Sequence, residues 1–307
     1  MTTAVELAAK RIKTLEVRGA RNVAITAIKA VEELTTNSRT QNKTEFLKEL
    51  SEAREILFSS RETEPLMRNV VKKIMHEVEK SEKRNPKELA DLVRQVSGEF
   101  LQDLESSKER IAEIGSKRIQ SSSRILTHCH SSTVTYLLER AKKEGKRFEV
   151  ICTETRPLFQ GRITARELLD LGIKTTMIID SAVRFFMNKV DLVMVGADAI
   201  TSEGNVINKI GTSLVALAAN EARTPFYVVS ELLKFDPSTV YGDYEKIEER
   251  KPNEIWSDAP SKIEIRNPAF DITRRNFIHG IICEEGIISP HSVLEVVRKR
   301  YPWLTKA

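Results

Sequence analysis

Apolar residues recur at helical spacing through the first third of the chain, as in Phe46, Leu47, Leu50, Ala53, Ile56 and Leu57, on a background rich in Glu, Lys, Arg and Leu. Such a stripe predicts amphipathic helices from residue 3 to about Gln120. Gly19, the stretch Ser59 to Pro65, and Asn85-Pro86 interrupt the pattern and predict the breaks between them.

From Arg124 the rhythm changes to short β-rich runs alternating with amphipathic stretches. Strands are predicted at Ile125 to Cys129, Phe148 to Thr153, Thr175 to Ile179, Leu192 to Val195 and Phe226 to Val229. Helices are predicted between them at Thr133 to Glu144, Thr164 to Leu171, Ala182 to Lys189 and Thr212 to Ala222. Alternation of this kind predicts an α/β fold: a helical domain over residues 1–120, then a parallel-sheet domain of right-handed βαβ units over 121–307.

Ligands of open parallel sheets bind beyond the carboxyl ends of the strands, so the residues at each strand exit mark the expected site. The exits carry Cys129-His130-Ser131, then Glu154-Thr155-Arg156-Pro157 with Gln160-Gly161, then Asp180-Ser181, Gly196-Ala197-Asp198, and Ser230-Glu231 with Lys234. Gly204 and Asn208-Lys209-Ile210-Gly211-Thr212 add a turn, an amide, an ammonium and a capped helix start, groups suited to a phosphate or a sugar oxygen. Cys129 combines a thiol with a helix N-terminus and hydroxyls, which predicts a lowered thiol pKa. Asp198, flanked by Ala197, Ala199 and Ile200, is the candidate general acid.

The bland alternatives differ from residue to residue. Cys152 and Cys283 lie inside apolar runs and are expected in the core, which would also be the default for Cys129 without its polar neighbours. His128 and His130, two apart in a strand, would point away from Cys129, and no further ligands complete a zinc site. No metal and no organic cofactor is expected.

The 49 basic and 44 acidic residues give a net charge of +5 spread along 307 residues, 40% of them apolar. That balance fits an anion-collecting site rather than a nucleic-acid face. Three cysteines without metal or disulfide spacing, and no apolar N-terminal segment, predict a cytoplasmic protein without a membrane partner.

Taken together, Arg18-Gly19-Ala20, Thr127-His128-Cys129-His130-Ser131-Ser132, Thr153-Glu154-Thr155-Arg156-Pro157, Gln160-Gly161, Gly196-Ala197-Asp198 and Asn208-Lys209-Ile210-Gly211-Thr212 resemble the superfamily of sugar-phosphate isomerases and initiation factor 2B subunits. The chain looks most like the ribose 1,5-bisphosphate isomerase branch. The resemblance implies an N-terminal helical domain followed by a Rossmann-like parallel-sheet domain that share the site, and a homo-oligomer (dimer or hexamer) with a nucleotide as effector. The apolar run Ile281 to Val297 is the expected interface.

Carried over by position, Cys129 matches the proton-accepting cysteine and Asp198 its acid partner. Arg18, Gly19, Ala20 and Arg21 fall on a phosphate-binding stretch and Arg61 on a second arginine. Ser131, Ser132 and Thr133 fall on the turn after the cysteine, Asn208 and Lys209 on a ligand pair, and Lys234 on a late lysine. The chain departs from the enzymes at Arg21, where they have a small residue, and at Glu62-Thr63-Glu64-Pro65, where they read Pro-Thr-Ala; Ser60 to Asn69 is more like the initiation-factor branch.

The activity implied is conversion of ribose 1,5-bisphosphate to ribulose 1,5-bisphosphate in nucleoside monophosphate degradation. Two other readings stay open on the sequence: a non-catalytic initiation factor 2B-like subunit that binds a nucleotide or sugar phosphate, and an isomerase of methylthioribose 1-phosphate.

Overall fold

Thr3 opens the first helix with a capping box, its hydroxyl accepting the Glu6 N–H while the Glu6 carboxylate accepts the Thr3 N–H. That helix, α1 (Ala4–Lys13), is followed by α2 (Ala20–Thr36), α3 (Lys43–Ser60), α4 (Pro65–Lys80) and α5 (Pro86–Ser116). Breaks fall where Gly19, Ser59 to Pro65 and Asn85-Pro86 predict them, with a further one between Thr36 and Lys43. The structure, a computed structural model, describes residues 3–61, 63–243 and 247–305; Glu62, one of the singled-out carboxylates, lies outside them.

The chain divides into two compact units, one ending at Ser106 and the other beginning at Ser107. In the first, Ile12, Ile28, Phe46, Leu50, Leu57, Leu66 and Ile74 are fully buried, the stripes of α1 to α4 meeting in one core. The boundary falls inside α5, earlier than the change of rhythm near Gln120. Ile111 and Ala112, on the last turns of α5, pack with strand residues of the second unit and so belong to its core.

The second unit alternates as expected: β1 (Arg124–Thr127), α6 (Ser132–Lys143), β2 (Glu149–Thr153), α7 (Gly161–Asp170), β3 (Lys174–Ile178), α8 (Val183–Met187) and β4 (Leu192–Val195). Next come β5 (Ala199–Ile200), β6 (Val206–Lys209), α9 (Thr212–Glu221), β7 (Phe226–Val229), β8 (Phe270–Thr273), β9 (Gly280–Cys283), β10 (Gly286–Ile288) and α10 (Val293–Arg300). Among the described residues, seven strands form one sheet in the order β10-β9-β7-β4-β1-β2-β3, parallel except for the β9–β10 hairpin. The sequence of strands reverses direction between β1 and β4, and that crevice is where a doubly wound sheet receives its ligand.

Two features depart from expectation. β5, β6 and β8 form a separate antiparallel sheet that carries Asn208 and Lys209. Much of the run Ile281 to Val297 is core: Ile281, Ile282 and Cys283 are buried in β9 beside β7, and Val293 and Val297 are buried in α10, while Ile287 on β10 is exposed. The apolarity of the buried ones serves the chain's own core.

Candidate active site

β1 ends at Thr127, two residues before Cys129, and Cys129 occupies a turn with φ +68°. Strand alternation therefore does not govern His128 and His130. The N–H of Cys129 donates to Thr155 Oγ1 at 2.9 Å, and the Thr164 hydroxyl donates to the Cys129 carbonyl at 2.9 Å. Thr155 itself has φ +62°, held by Asp180, whose two carboxylate oxygens accept the N–H groups of Thr155 and Arg156 at 2.8 and 2.7 Å. His128 is buried between Thr153 Oγ1 at 2.7 Å and the Ile210 carbonyl at 2.8 Å. Thr155 and Asp180 are among the strand-exit residues picked out from the sequence, but without these roles, and Thr164, inside α7, carries no signal there beyond the predicted start of a helix.

Asp198 stands at the next exit. Its approach to the cysteine turn depends on Gly196, where a Cβ would meet Ser131 Oγ at 2.7 Å and Ser131 Cβ at 2.8 Å. Only a residue without a side chain lets the end of β4 lie against the start of α6. Ser131 caps α6, accepting the Val134 N–H at 3.4 Å, and Ser132 is exposed in its first turn.

Lys209 brings its charge to the same place and favours the Cys129 thiolate, but the balance goes the other way. Burial pushes the Cys129 thiol up to about 11, with the charges of Asp198 and Asp180 acting in the same direction against Lys209 and the His130 N–H. The expectation of a lowered pKa is thus corrected: the cysteine rests as a neutral thiol, because desolvation outweighs the Lys209 ammonium and the His130 N–H. Cys152 and Cys283 are buried, as their apolar neighbours predict.

The remaining candidates divide. The N-terminus of α9, expected to receive a phosphate, is filled by the chain itself: Asp271 accepts the Gly211 N–H at 2.8 Å, the Ser213 hydroxyl at 2.8 Å and the Ser213 N–H at 3.1 Å. Asn208 donates to Thr212 Oγ1 at 3.0 Å and so braces this turn. Thr133 is buried and donates to Glu231 at 3.3 Å, bracing the exit of β7. Lys234 is likewise buried, 3.3 Å from the Glu231 carboxylate and donating to the Ala197 carbonyl at 2.9 Å. Among the described residues, no three His, Cys, Asp or Glu side chains are grouped to hold a metal ion, and no helix is long and apolar enough to cross a membrane.

The model of the initiation factor 2 subunit family matches residues 16–290. The chain belongs to that family. Ribose 1,5-bisphosphate isomerase of Methanocaldococcus jannaschii is 42% identical over 299 residues, covering 97% of this chain and 95% of its own. The enzyme of the same name from Thermococcus kodakarensis is 39% identical over 305 residues, covering 97% and 95%. Among solved structures, translation initiation factor eIF-2B of Pyrococcus horikoshii OT3 superposes with a TM-score of 0.82 at 32% identity, covering 93% of this chain and 97% of its own.

This initiation factor 2 subunit family member places its helical-unit candidates as follows. Arg18, Gly19 and Ala20 form the start of α2, with Gly19 at φ +81° as the cap and no side-chain cap hydrogen bond. Arg18 is exposed and also donates to the Leu15 carbonyl at 2.9 Å. Arg21 does not line that start: it is buried and donates to the Leu104 carbonyl at 2.6 Å and to Glu105 at 2.5 Å. Arg61 lies 3.3 Å from the buried Glu64, so this carboxylate neutralises the arginine next to it.

Proposed function

We propose that the chain isomerises ribose 1,5-bisphosphate to ribulose 1,5-bisphosphate. The observation that carries this reading is the placement of Cys129 after β1 and Asp198 after β4, the two strands flanking the reversal of strand order. Names borne by relatives at 42% and 39% identity support the bisphosphate as substrate.

An aldose whose anomeric oxygen carries phosphate cannot open by ordinary aldehyde chemistry. The reaction requires a base for the C2 proton and an acid for the ring oxygen at the same time. Cys129 as thiolate takes the proton from C2, the electron pair forms the C1–C2 double bond, and the C1–ring oxygen bond breaks as Asp198 protonates that oxygen. The open-chain enol phosphate then returns its C2 hydroxyl proton to Asp198 and receives at C1 the proton held by Cys129. Both groups end as they began.

A thiol resting near pKa 11 constrains the first step. The proton that rests on sulfur must be exchanged off it before the cysteine can accept the C2 proton. Lys209 favours that exchange by stabilising the thiolate. The exposed start of α6 at Ser132 and the ammonium of Lys209 are the groups in this unit suited to phosphate oxygens, and the start of α2 with Arg18 offers the helical unit its own anion-binding element.

A homo-oligomer in the cytoplasm belongs to the same reading. Phe185 on α8 and Leu214 and Leu217 on α9, two helices that pack together, leave large apolar side chains exposed. The deciding experiment is incubation of the purified protein with ribose 1,5-bisphosphate, following ketose formation with and without a nucleoside monophosphate. Ketose formation supports the proposal, and acceleration by the nucleotide supports an effector. Binding of the bisphosphate without ketose would favour the non-catalytic subunit instead.

A further inference from the structure

We infer that Thr155 and Thr164 are positioning residues for the proton transfer: their hydroxyls hold the N–H and the C=O of Cys129 and so fix the left-handed backbone from which its side chain projects. This rests on the reading of Cys129 as the proton-accepting group.

Left-handed backbone is unfavourable for any residue with a Cβ, by about 1–2 kcal/mol, and more so for a β-branched one. Two such residues nonetheless face each other here, Cys129 at φ +68° and Thr155 at φ +62°. Strain of this kind persists only where the surroundings over-determine it. Both backbone groups of Cys129 are held, each at 2.9 Å, by a threonine from a different element: Thr155 from the exit of β2 and Thr164 from α7.

The position of Thr164 explains Gln160-Gly161. A Cβ on Gly161 would meet the Thr153 carbonyl oxygen at 1.7 Å, so α7 begins seated on the end of β2 because this residue is glycine. That seating brings Thr164 to the carbonyl of Cys129. With the Thr164 hydroxyl proton on that carbonyl, the contact of His130 Nδ1 with Thr164 Oγ1 at 3.2 Å makes His130 the donor.

The protons on the other side are equally constrained. The Ile210 carbonyl can only accept, so His128 carries its proton on Nε2 and accepts at Nδ1 from Thr153. Burial keeps this imidazole neutral, lowering its pKa. Thr153 Oγ1 then accepts from Thr155 Oγ1 at 3.1 Å, and Thr155 accepts from the Cys129 N–H. Thr155 therefore faces the cysteine as an acceptor, which is the polarity that a backbone N–H needs.

The test replaces each threonine by valine, which keeps shape and removes the hydroxyl, and by serine, which keeps the hydroxyl. Two readouts are taken: kcat and KM with ribose 1,5-bisphosphate, and the rate of Cys129 alkylation by iodoacetamide between pH 7 and 9. Thr155→Val and Thr164→Val are expected to lower kcat by about 10–100-fold with KM within about twofold, as displacement of a catalytic group does. The serine variants should recover most of that loss. Alkylation should accelerate by about tenfold in the valine variants, because a cysteine released from its partly buried turn regains thiolate character.

Valine variants that match the wild type in both kcat and alkylation overturn the inference, as does a loss of kcat that serine fails to restore. If a valine variant melts below the assay temperature, Thr155→Ala or Thr164→Ala takes its place under the same outcomes. A wild type inactive on the bisphosphate would sink the substrate reading alone; the alkylation contrast then decides the clamp.

Discussion

The ammonium of Lys234 donates to the carbonyl of Ala197 at 2.9 Å, so a buried cation tethers the residue immediately before Asp198. The same ammonium lies 3.3 Å from Glu231, itself fully buried. Replacing Lys234 by Met takes the cation from a desolvated carboxylate, which is expected to destabilise the fold by about 3–5 kcal/mol. Chemical denaturation should show this loss, together with reduced turnover. An unaltered midpoint would mean that Lys234 does not hold this exit.

Cys129→Ser and Asp198→Asn are each expected to lower kcat on the order of 10²–10⁴-fold while ligand affinity and the melting temperature stay near wild type.

Gly196→Ala places a Cβ 2.7 Å from Ser131 Oγ and 2.8 Å from Ser131 Cβ. The exits of β1 and β4 must then separate, at a cost of about 1–3 kcal/mol. Activity should fall more steeply than stability, since the displaced element carries Asp198. Thermal melting and steady-state kinetics on the same preparation would show whether it does.

Glu284 accepts the Leu232 N–H with both oxygens at 3.2 Å and the Tyr301 hydroxyl at 3.1 Å. Burial pushes its carboxyl up to about 7, with the charge of Glu231 adding to the effect. The folded chain thus holds a proton that an unfolded chain releases near 4.5. The corresponding stability is complete below pH 4.5 and is lost as pH rises through 7, a change on the order of 3 kcal/mol. Glu284→Gln should flatten the melting temperature across that window; a curve that keeps its wild-type slope assigns the dependence to another group.

Much of the fold can be read without coordinates because its signals are local. The Phe46 to Leu57 stripe, the Pro65 and Pro86 helix starts, and the five predicted strands all sit within a residue or two of where periodicity puts them. The small antiparallel sheet escaped because β5 has two residues and β8 lies 61 residues beyond β6. Apolarity alone could not assign Ile281 to Val297, since a buried strand and an interface have the same composition.

The sequence by itself determined the alternation of elements, and with it which residues stand at strand exits, including Cys129 and Asp198. Only the tertiary structure decided what those residues experience. Thr155, Thr164, Asp180 and Asp271 act across 26, 35, 25 and 60 residues of chain, and pattern has no range of that length. It also reversed the expected state of the thiol, because the pKa of Cys129 depends on how much water the surrounding exits exclude, and exclusion of water is a property of packing rather than of order along the chain.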